Sequence, residues 1–184
     1  MQENQFVALK ARPAGAVGAE HFAIVSAPVP EPGEGQLLLR NLYISVDPGV
    51  RNLLGAEEGY LPTIAIGAGM VGNVMGEVLV SRHPDFASGD LVVGRGLLGT
   101  YSLISPDALC WPVDATLCPV LSNALSLYGV TGLSAYFGLL NVGRPREGET
   151  VLVSSAAGAV GSIAGQIARI KGCRAVGIAG GPEK

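Results

Sequence analysis

The sequence has few cysteines, few aromatic residues and few charges, and each shortage excludes a class of protein. Its 184 residues include three cysteines, which are far apart and form no CxxC pair (Cys110, Cys118 and Cys173). An odd number of separated cysteines argues against a disulfide framework, and these three alone cannot complete a structural zinc site. Aromatic residues make up 5% and charged residues 15% of the chain. Together with a high aliphatic content, this excludes a disordered chain, a collagen-like chain and a coiled coil.

Positive charge is also scarce. Lysine occurs only at Lys10, Lys171 and Lys184, and the formal net charge is −3. No basic face for nucleic acid is expected. The first residues carry a charge inside their apolar stretch and lack a continuous apolar core, so they do not resemble a secretory signal. We therefore expect a cytoplasmic protein.

One uncharged segment is long enough to span a bilayer. Residues 115–143 contain no Asp, Glu, Lys, Arg or His. Pro119, several Ser, Thr and Asn residues, and the pair Gly129 and Gly132 interrupt it, which favours two short buried helices around a turn. No membrane partner is expected.

Glycine and proline are abundant, with 27 and 12 residues, and favour short strands joined by tight turns. Asp47 followed by Pro48 predicts the start of a short helix over 49–54. Gly72 and Gly76 predict bulges or bends. Many short strands with bends predict a small, partly open β-barrel. The predicted strands are 5–11, 21–27, 36–46, 70–81, 91–93 and 99–105.

The pattern changes near Pro119. Thr131 is predicted to cap a helix over 132–142. An apolar strand over 149–154, a loop, a helix to Lys171 and a second strand over 173–179 then predict a βαβ unit with two parallel strands.

The strongest chemical signal lies between that strand and that helix, in the small-residue segment 156–161. Gly158 would let the backbone approach a diphosphate, and Gly161 would let the helix pack closely on the strand. The free amides and positive dipole of the helix N-terminus favour an anion. Ala156 replaces the first glycine of the G-x-G-x-x-G pattern. The alternative is a tight turn that binds no ligand.

The end of the second strand indicates which dinucleotide would bind. A site that prefers NAD places a carboxylate about 20 residues further on. The corresponding residues, 178–181, contain no acid, and Lys184 follows. NADP(H) is therefore favoured, with Lys184 contacting the 2′-phosphate. Alternatively, Lys184 is a solvated residue.

These motifs resemble the first half of the zinc-free medium-chain dehydrogenases/reductases, in the branch of prostaglandin reductases, leukotriene B4 12-hydroxydehydrogenases and alkenal double-bond reductases. The resemblance covers nearly the whole chain, and its last two blocks are the specific ones. The matching blocks are 42–48 with Arg51, 81–87 with 89–92, 129–140 and 148–184.

The resemblance implies a mixed fold: a GroES-like bent β-barrel over 1–122, then the start of an α/β Rossmann domain over 123–184, truncated after its second strand. It implies a site between them where NADPH delivers hydride to the β-carbon of an α,β-unsaturated ketone or aldehyde. Ser134 stands where relatives usually have Thr near the nicotinamide; alternatively, it bonds its own helix backbone. The expected cofactor-binding residues are Ser134, Ala157, Gly158, Ala159, Val160, Gly161, Gly180 and Lys184.

The chain departs from the family pattern at the substrate side. Gly49 and Val50 replace the usual Tyr and Met, so the pocket should be wider or reshaped. Tyr60 or Tyr101 could replace the missing phenol, although packing roles are favoured for both. No metal is expected, because thiolate and imidazole ligands are missing from the relevant segments. His21 and His83 are expected at the surface or as caps. The catalytic residues stay unassigned.

Two parallel strands and one helix leave a sheet uncovered, and relatives are about twice as long. We therefore expect a fragment, or a chain that a partner completes, with negligible turnover by itself. A homodimer is also allowed. The alternatives are an NADPH quinone oxidoreductase on the same scaffold, and a truncated, non-catalytic nucleotide-binding or scaffold protein.

Overall fold

A computed structural model describes residues 3–55, 62–106 and 109–181. The chain divides into two compact units, residues 1–121 and 122–184. Each unit has its own sheets.

The first unit is built from antiparallel strands, as expected for a small barrel. Two of its strands form a separate ribbon, and isolated bridges join Phe6 to Gly99 and Ala8 to Gly69. The other five form one antiparallel sheet in the order β6-β3-β4-β5-β7. The strands are β1 (Glu3–Leu9), β2 (Phe22–Pro28), β3 (Leu37–Ile44), β4 (Val71–Ser81), β5 (Leu91–Leu97), β6 (Tyr101–Ile104) and β7 (Trp111–Pro112).

The predicted bend at Gly76 is confirmed. The register of β3 against β4 shifts between Asn41 and Tyr43, directly opposite Gly76. A Cβ atom on Gly76 would lie 2.5 Å from the carbonyl oxygen of Arg40, so only glycine allows this approach of the two strands.

Aliphatic side chains from the five-stranded sheet form the main core. They are Leu37, Leu39, Val74, Val78, Val92 and Ile104, all with almost no exposed surface. A second cluster joins Leu9, Leu54 and Met70. The strands therefore enclose apolar side chains from several directions, which is the arrangement of a small barrel.

The predicted short helix is present as a 3-10 helix over Pro48–Leu54, with Asp47 at its N-cap position. The Asp47 carboxylate makes no capping hydrogen bond. It accepts hydrogen bonds from Ser45 Oγ at 2.9 Å and Asn73 Nδ2 at 3.3 Å. Two details were wrong in the sequence prediction, because β5 continues to Leu97 and the strand β7 was missed.

The second unit contains the predicted βαβ unit. Strands β8 and β9 pair in parallel, which confirms the prediction. Short helical segments precede them, and no helix within the described ranges has both the length and the hydropathy of a membrane span. The elements are a 3-10 turn (Leu121–Ala124), α1 (Val130–Tyr136), a π-helix (Phe137–Gly143), β8 (Thr150–Val153), α2 (Ala159–Ile170) and β9 (Arg174–Gly177).

The predicted cap of the helix near residue 132 was wrong. Helix α1 has Gly129 at its N-cap position, and Thr131 Oγ1 donates a hydrogen bond to the Ser126 carbonyl oxygen at 2.9 Å. A Cβ atom on Gly132 would overlap the backbone of Leu127. The preceding loop therefore folds tightly against the first turn of α1, which the sequence pattern did not indicate.

Candidate functional site

The small-residue segment lies at the carboxyl edge of the parallel pair. Strand β8 ends at Val153, and α2 begins at Ala159. The Ala156 amide donates to the Ile178 carbonyl oxygen at 2.9 Å, and the Ile178 amide donates to that of Val153 at 2.9 Å. The chain segments that leave β8 and β9 therefore continue side by side beyond the strands. In open α/β sheets this is the edge at which ligands bind.

Ser155 gives the segment its sharp turn. It has a left-handed backbone with φ 49°, and its carbonyl oxygen accepts a hydrogen bond from the Gly158 amide at 2.8 Å. A Cβ atom on Gly161 would overlap this oxygen and would lie 2.9 Å from Ala156 Cα. Glycine is thus sterically required at 161. Ser155 was missed by sequence reasoning, because a serine gives no signal for a left-handed conformation.

The turn leaves backbone donors free. Across residues 3–55, 62–106 and 109–181, no acceptor takes the amide hydrogens of Ala157, Ala159, Val160 or Gly161. The amide of Ser162, which donates to the Gly158 carbonyl oxygen at 2.9 Å, begins the hydrogen-bonded ladder of α2. These free donors coincide with the positive end of the dipole of a 12-residue helix.

The turn is also open. Four of its residues are exposed, and Gly161 is half-buried; the exposed ones are Ala157, Gly158, Ala159 and Val160. None of the side chains that the structure describes therefore seals the segment, and its free amides can reach an anion. We call residues 156–161 the open turn.

Of the remaining predicted cofactor residues, the structure describes Gly180 and Ser134. Gly180 is exposed and follows Ile178 at the same carboxyl edge. Lys184 lies outside the described residues. Ser134 is exposed on α1, a helix that packs against α2. Its hydroxyl donates to the Val130 carbonyl oxygen at 2.6 Å, which is the backbone contact considered as the alternative to a cofactor role.

The two histidines make local hydrogen bonds. The Nδ1 atom of His21 accepts a hydrogen bond from the Gly18 amide at 3.0 Å, and that of His83 accepts one from the Asp85 amide at 3.2 Å. Both histidines therefore cap turns, as expected. Tyr101 is buried, in keeping with the packing role favoured for it, and Tyr60 lies outside the described residues. Among the residues that the structure describes, no three His, Cys, Asp or Glu side chains are grouped to hold a metal ion.

Comparison with protein families identifies the class to which this fold belongs. A family described as the N-terminal domain of oxidoreductase matches residues 5–111. Together with its relatives, this match shows that the chain belongs to the zinc-free medium-chain dehydrogenase/reductase family.

Several known proteins are similar to most or all of this chain. An NADPH-dependent curcumin reductase from Escherichia coli K12 is 44% identical over 183 residues, which are 100% of this chain and 52% of the relative. A 2-alkenal reductase (NADP(+)-dependent) from Nicotiana tabacum is 40% identical over 157 residues, 85% of this chain and 45% of the relative. The crystal structure of CurA in complex with NADPH from Vibrio vulnificus has 37% identity and a TM-score of 0.86, and covers 97% of this chain and 52% of CurA.

The chain thus spans about half the length of the curated relatives it matches. Both of its units fall within these matches. The resemblance inferred from the sequence is confirmed, and so is the fold class of a GroES-like part followed by the beginning of an α/β part.

Proposed function

We propose that this protein is an NADP(H)-dependent reductase that acts, without zinc, on the C=C bond of α,β-unsaturated ketones and aldehydes. Family membership and the named activities of the curcumin and 2-alkenal reductases support this proposal. The observation that carries it is the open turn, whose free amides match the needs of a dinucleotide diphosphate.

The residues of the open turn fit a diphosphate for two reasons. The amides of Ala157, Ala159, Val160 and Gly161 supply donors and no negative charge. The absence of a side chain at Gly161 keeps the first turn of α2 against the Ser155 carbonyl group, so that these donors stay together. Amides held by the fold lose little freedom when an anion binds, which favours affinity.

We assign the 2′-phosphate preference to the end of β9. Residues 178–181 contain no acid that would repel a phosphate or bind a ribose 2′-hydroxyl group. Lys184, a few residues further on, supplies the cation. The NADPH named in the E. coli relative and bound in the CurA structure agrees with this assignment.

When bound, NADPH would supply a hydride to the β-carbon of the substrate. The role of this chain is to position the reactants, and the open turn anchors the diphosphate. The Ser134 hydroxyl donates its hydrogen to the Val130 carbonyl oxygen, so its lone pairs stay available to accept a hydrogen bond from the nicotinamide. For this zinc-independent reaction, we propose that hydrogen bonds and the cofactor itself provide the electrophilic assistance. We further propose that residues 1–122 carry the substrate site and residues 123–184 the cofactor site.

A chimera tests the activity. It joins residues 1–184 to the part of the E. coli curcumin reductase that lies beyond the matched region, and NADPH oxidation is followed with a 2-alkenal and with a benzoquinone. We expect the alkenal to be consumed and a saturated aldehyde to form. Preferential quinone reduction would favour the quinone oxidoreductase instead, and the absence of both reactions with NADPH bound would favour a non-catalytic protein. The 184-residue chain alone is the control, and we expect it to show negligible turnover.

A further inference from the structure

A small pocket within the first unit contains the guanidinium group of Arg95, which has no partner among the residues that the structure describes. The pocket has a volume of about 150 Å³, and several apolar residues line it, among them Val50, Leu53 and Val71. A cavity of about this volume in a protein core can hold a benzene-sized molecule. Gly49 also lines the pocket. Because glycine stands here in place of the Tyr that is usual in the family, no side chain at this position fills the pocket.

Two of the polar residues that line the pocket lie on neighbouring strands. Asn73 on β4 and Arg95 on β5 are directly opposed in the antiparallel register, so their side chains share one face of the sheet. The Asn73 amide donates to one oxygen of Asp47, and Ser45 donates to the other. Both oxygens of that carboxylate are therefore already bonded.

Arg95 differs from the neighbouring cross-strand arginine. Arg40 on β3 opposes Glu77 on β4 and pairs with its carboxylate at 2.6 Å. Arg95 opposes an amide, and across the described ranges no carboxylate or carbonyl oxygen accepts a hydrogen bond from its guanidinium. Its planar set of donors matches a carboxylate, which can accept two parallel hydrogen bonds.

We infer that this pocket binds a small apolar molecule that carries a carboxylate, with the carboxylate on Arg95 and the apolar part between Val50, Leu53 and Val71. This inference does not depend on the proposed function, because it concerns only the binding of a small apolar carboxylate to the first unit. The carboxylate of Asp47 is held by its two donors and is not within ion-pair distance of Arg95, so it leaves the guanidinium available.

The test is a binding measurement with two matched probes on the 184-residue chain, without NADPH. Cinnamate carries a carboxylate, and 4-phenylbut-3-en-2-one carries a methyl ketone on the same phenyl-alkene frame. We expect cinnamate to bind about tenfold more tightly, as for a charge-assisted hydrogen bond in a partly enclosed site. Amide shifts in a nitrogen–proton NMR spectrum should concentrate at residues 71–73 and 95–97.

Arg95→Gln should remove the preference for cinnamate. Arg82→Gln is the matched control, because Arg82 is another exposed arginine of this unit and does not line the pocket; it should leave the preference unchanged. Equal affinity for the two probes, no binding of either, or an unchanged preference in Arg95→Gln would overturn the inference. This binding measurement involves neither NADPH nor turnover. An inactive chimera would therefore refute the proposed function and leave the measured preference for cinnamate unchanged.

Discussion

Ala156 and Gly177 are fitted to each other across the carboxyl edge of the parallel pair. A Cβ atom on Gly177 would lie 2.6 Å from the Ala156 Cβ atom. The methyl group that replaces the first glycine of the dinucleotide pattern therefore occupies space that the glycine at the end of β9 leaves free. This pairing shows how the turn tolerates alanine at a position where the pattern has glycine.

The pairing predicts a compensating effect. Gly177→Ala should lower the free energy of unfolding by about 1–3 kcal/mol, because it overpacks the contact with Ala156. Adding Ala156→Gly should restore part of the loss, since it removes the clashing methyl group. Chemical denaturation of the four proteins of the double-mutant cycle measures the coupling. Additive effects would show that the two residues do not compete for the same space.

Two neighbouring glycines test the approach of the loop to α1. Gly132→Ala should destabilise the protein by at least about 1–3 kcal/mol, because its methyl group would overlap the Leu127 carbonyl group. Gly138→Ala is the control, since a Cβ atom there meets nothing within 4 Å. Thermal unfolding of both variants measures the difference, and similar melting temperatures would contradict the close approach.

Much of this architecture was readable from the sequence, because its signals are local. The βαβ unit follows from apolar runs bounded by glycine, and the bend at Gly76 follows from a glycine inside a strand. The left-handed Ser155, the tight approach of Leu127 to Gly132 and the pairing of Ala156 with Gly177 depend on contacts between residues whose types allow many conformations. The placement of Asn73 opposite Arg95 depends on strand register, which composition does not determine.

The steric need for glycine at 161 predicts a loss of cofactor affinity. Gly161→Ala should displace the first turn of α2 from Ser155, so that the free amides no longer point to one anion site. We expect this change to weaken NADPH binding about tenfold or more. Gly165→Ala lies in the same helix, and its Cβ atom meets nothing within 4 Å. Fluorescence titration with NADPH compares the two variants, and equal affinities would mean that the turn geometry does not matter for binding.

Lys184 decides between the two nicotinamide dinucleotides in this account. Lys184→Ala in the chimera should weaken NADPH by about tenfold and leave NADH almost unchanged, because only NADPH carries the 2′-phosphate. Lys171→Ala, which removes a lysine at the opposite end of α2 from the open turn, serves as a control. The measured quantity is the ratio of the two dissociation constants. A loss shared equally by both cofactors would refute the role in 2′-phosphate recognition.

The most direct test is a nitrogen–proton NMR titration of the labelled 184-residue chain with NADPH. Diphosphate binding at the open turn should move the amide signals of Ala157, Ala159, Val160 and Gly161 most, while signals from the far end of α2 move little. Inorganic diphosphate should move the same four signals at higher concentration. Unchanged signals from these amides at saturating NADPH, or shifts confined to other parts of the chain, would contradict the account.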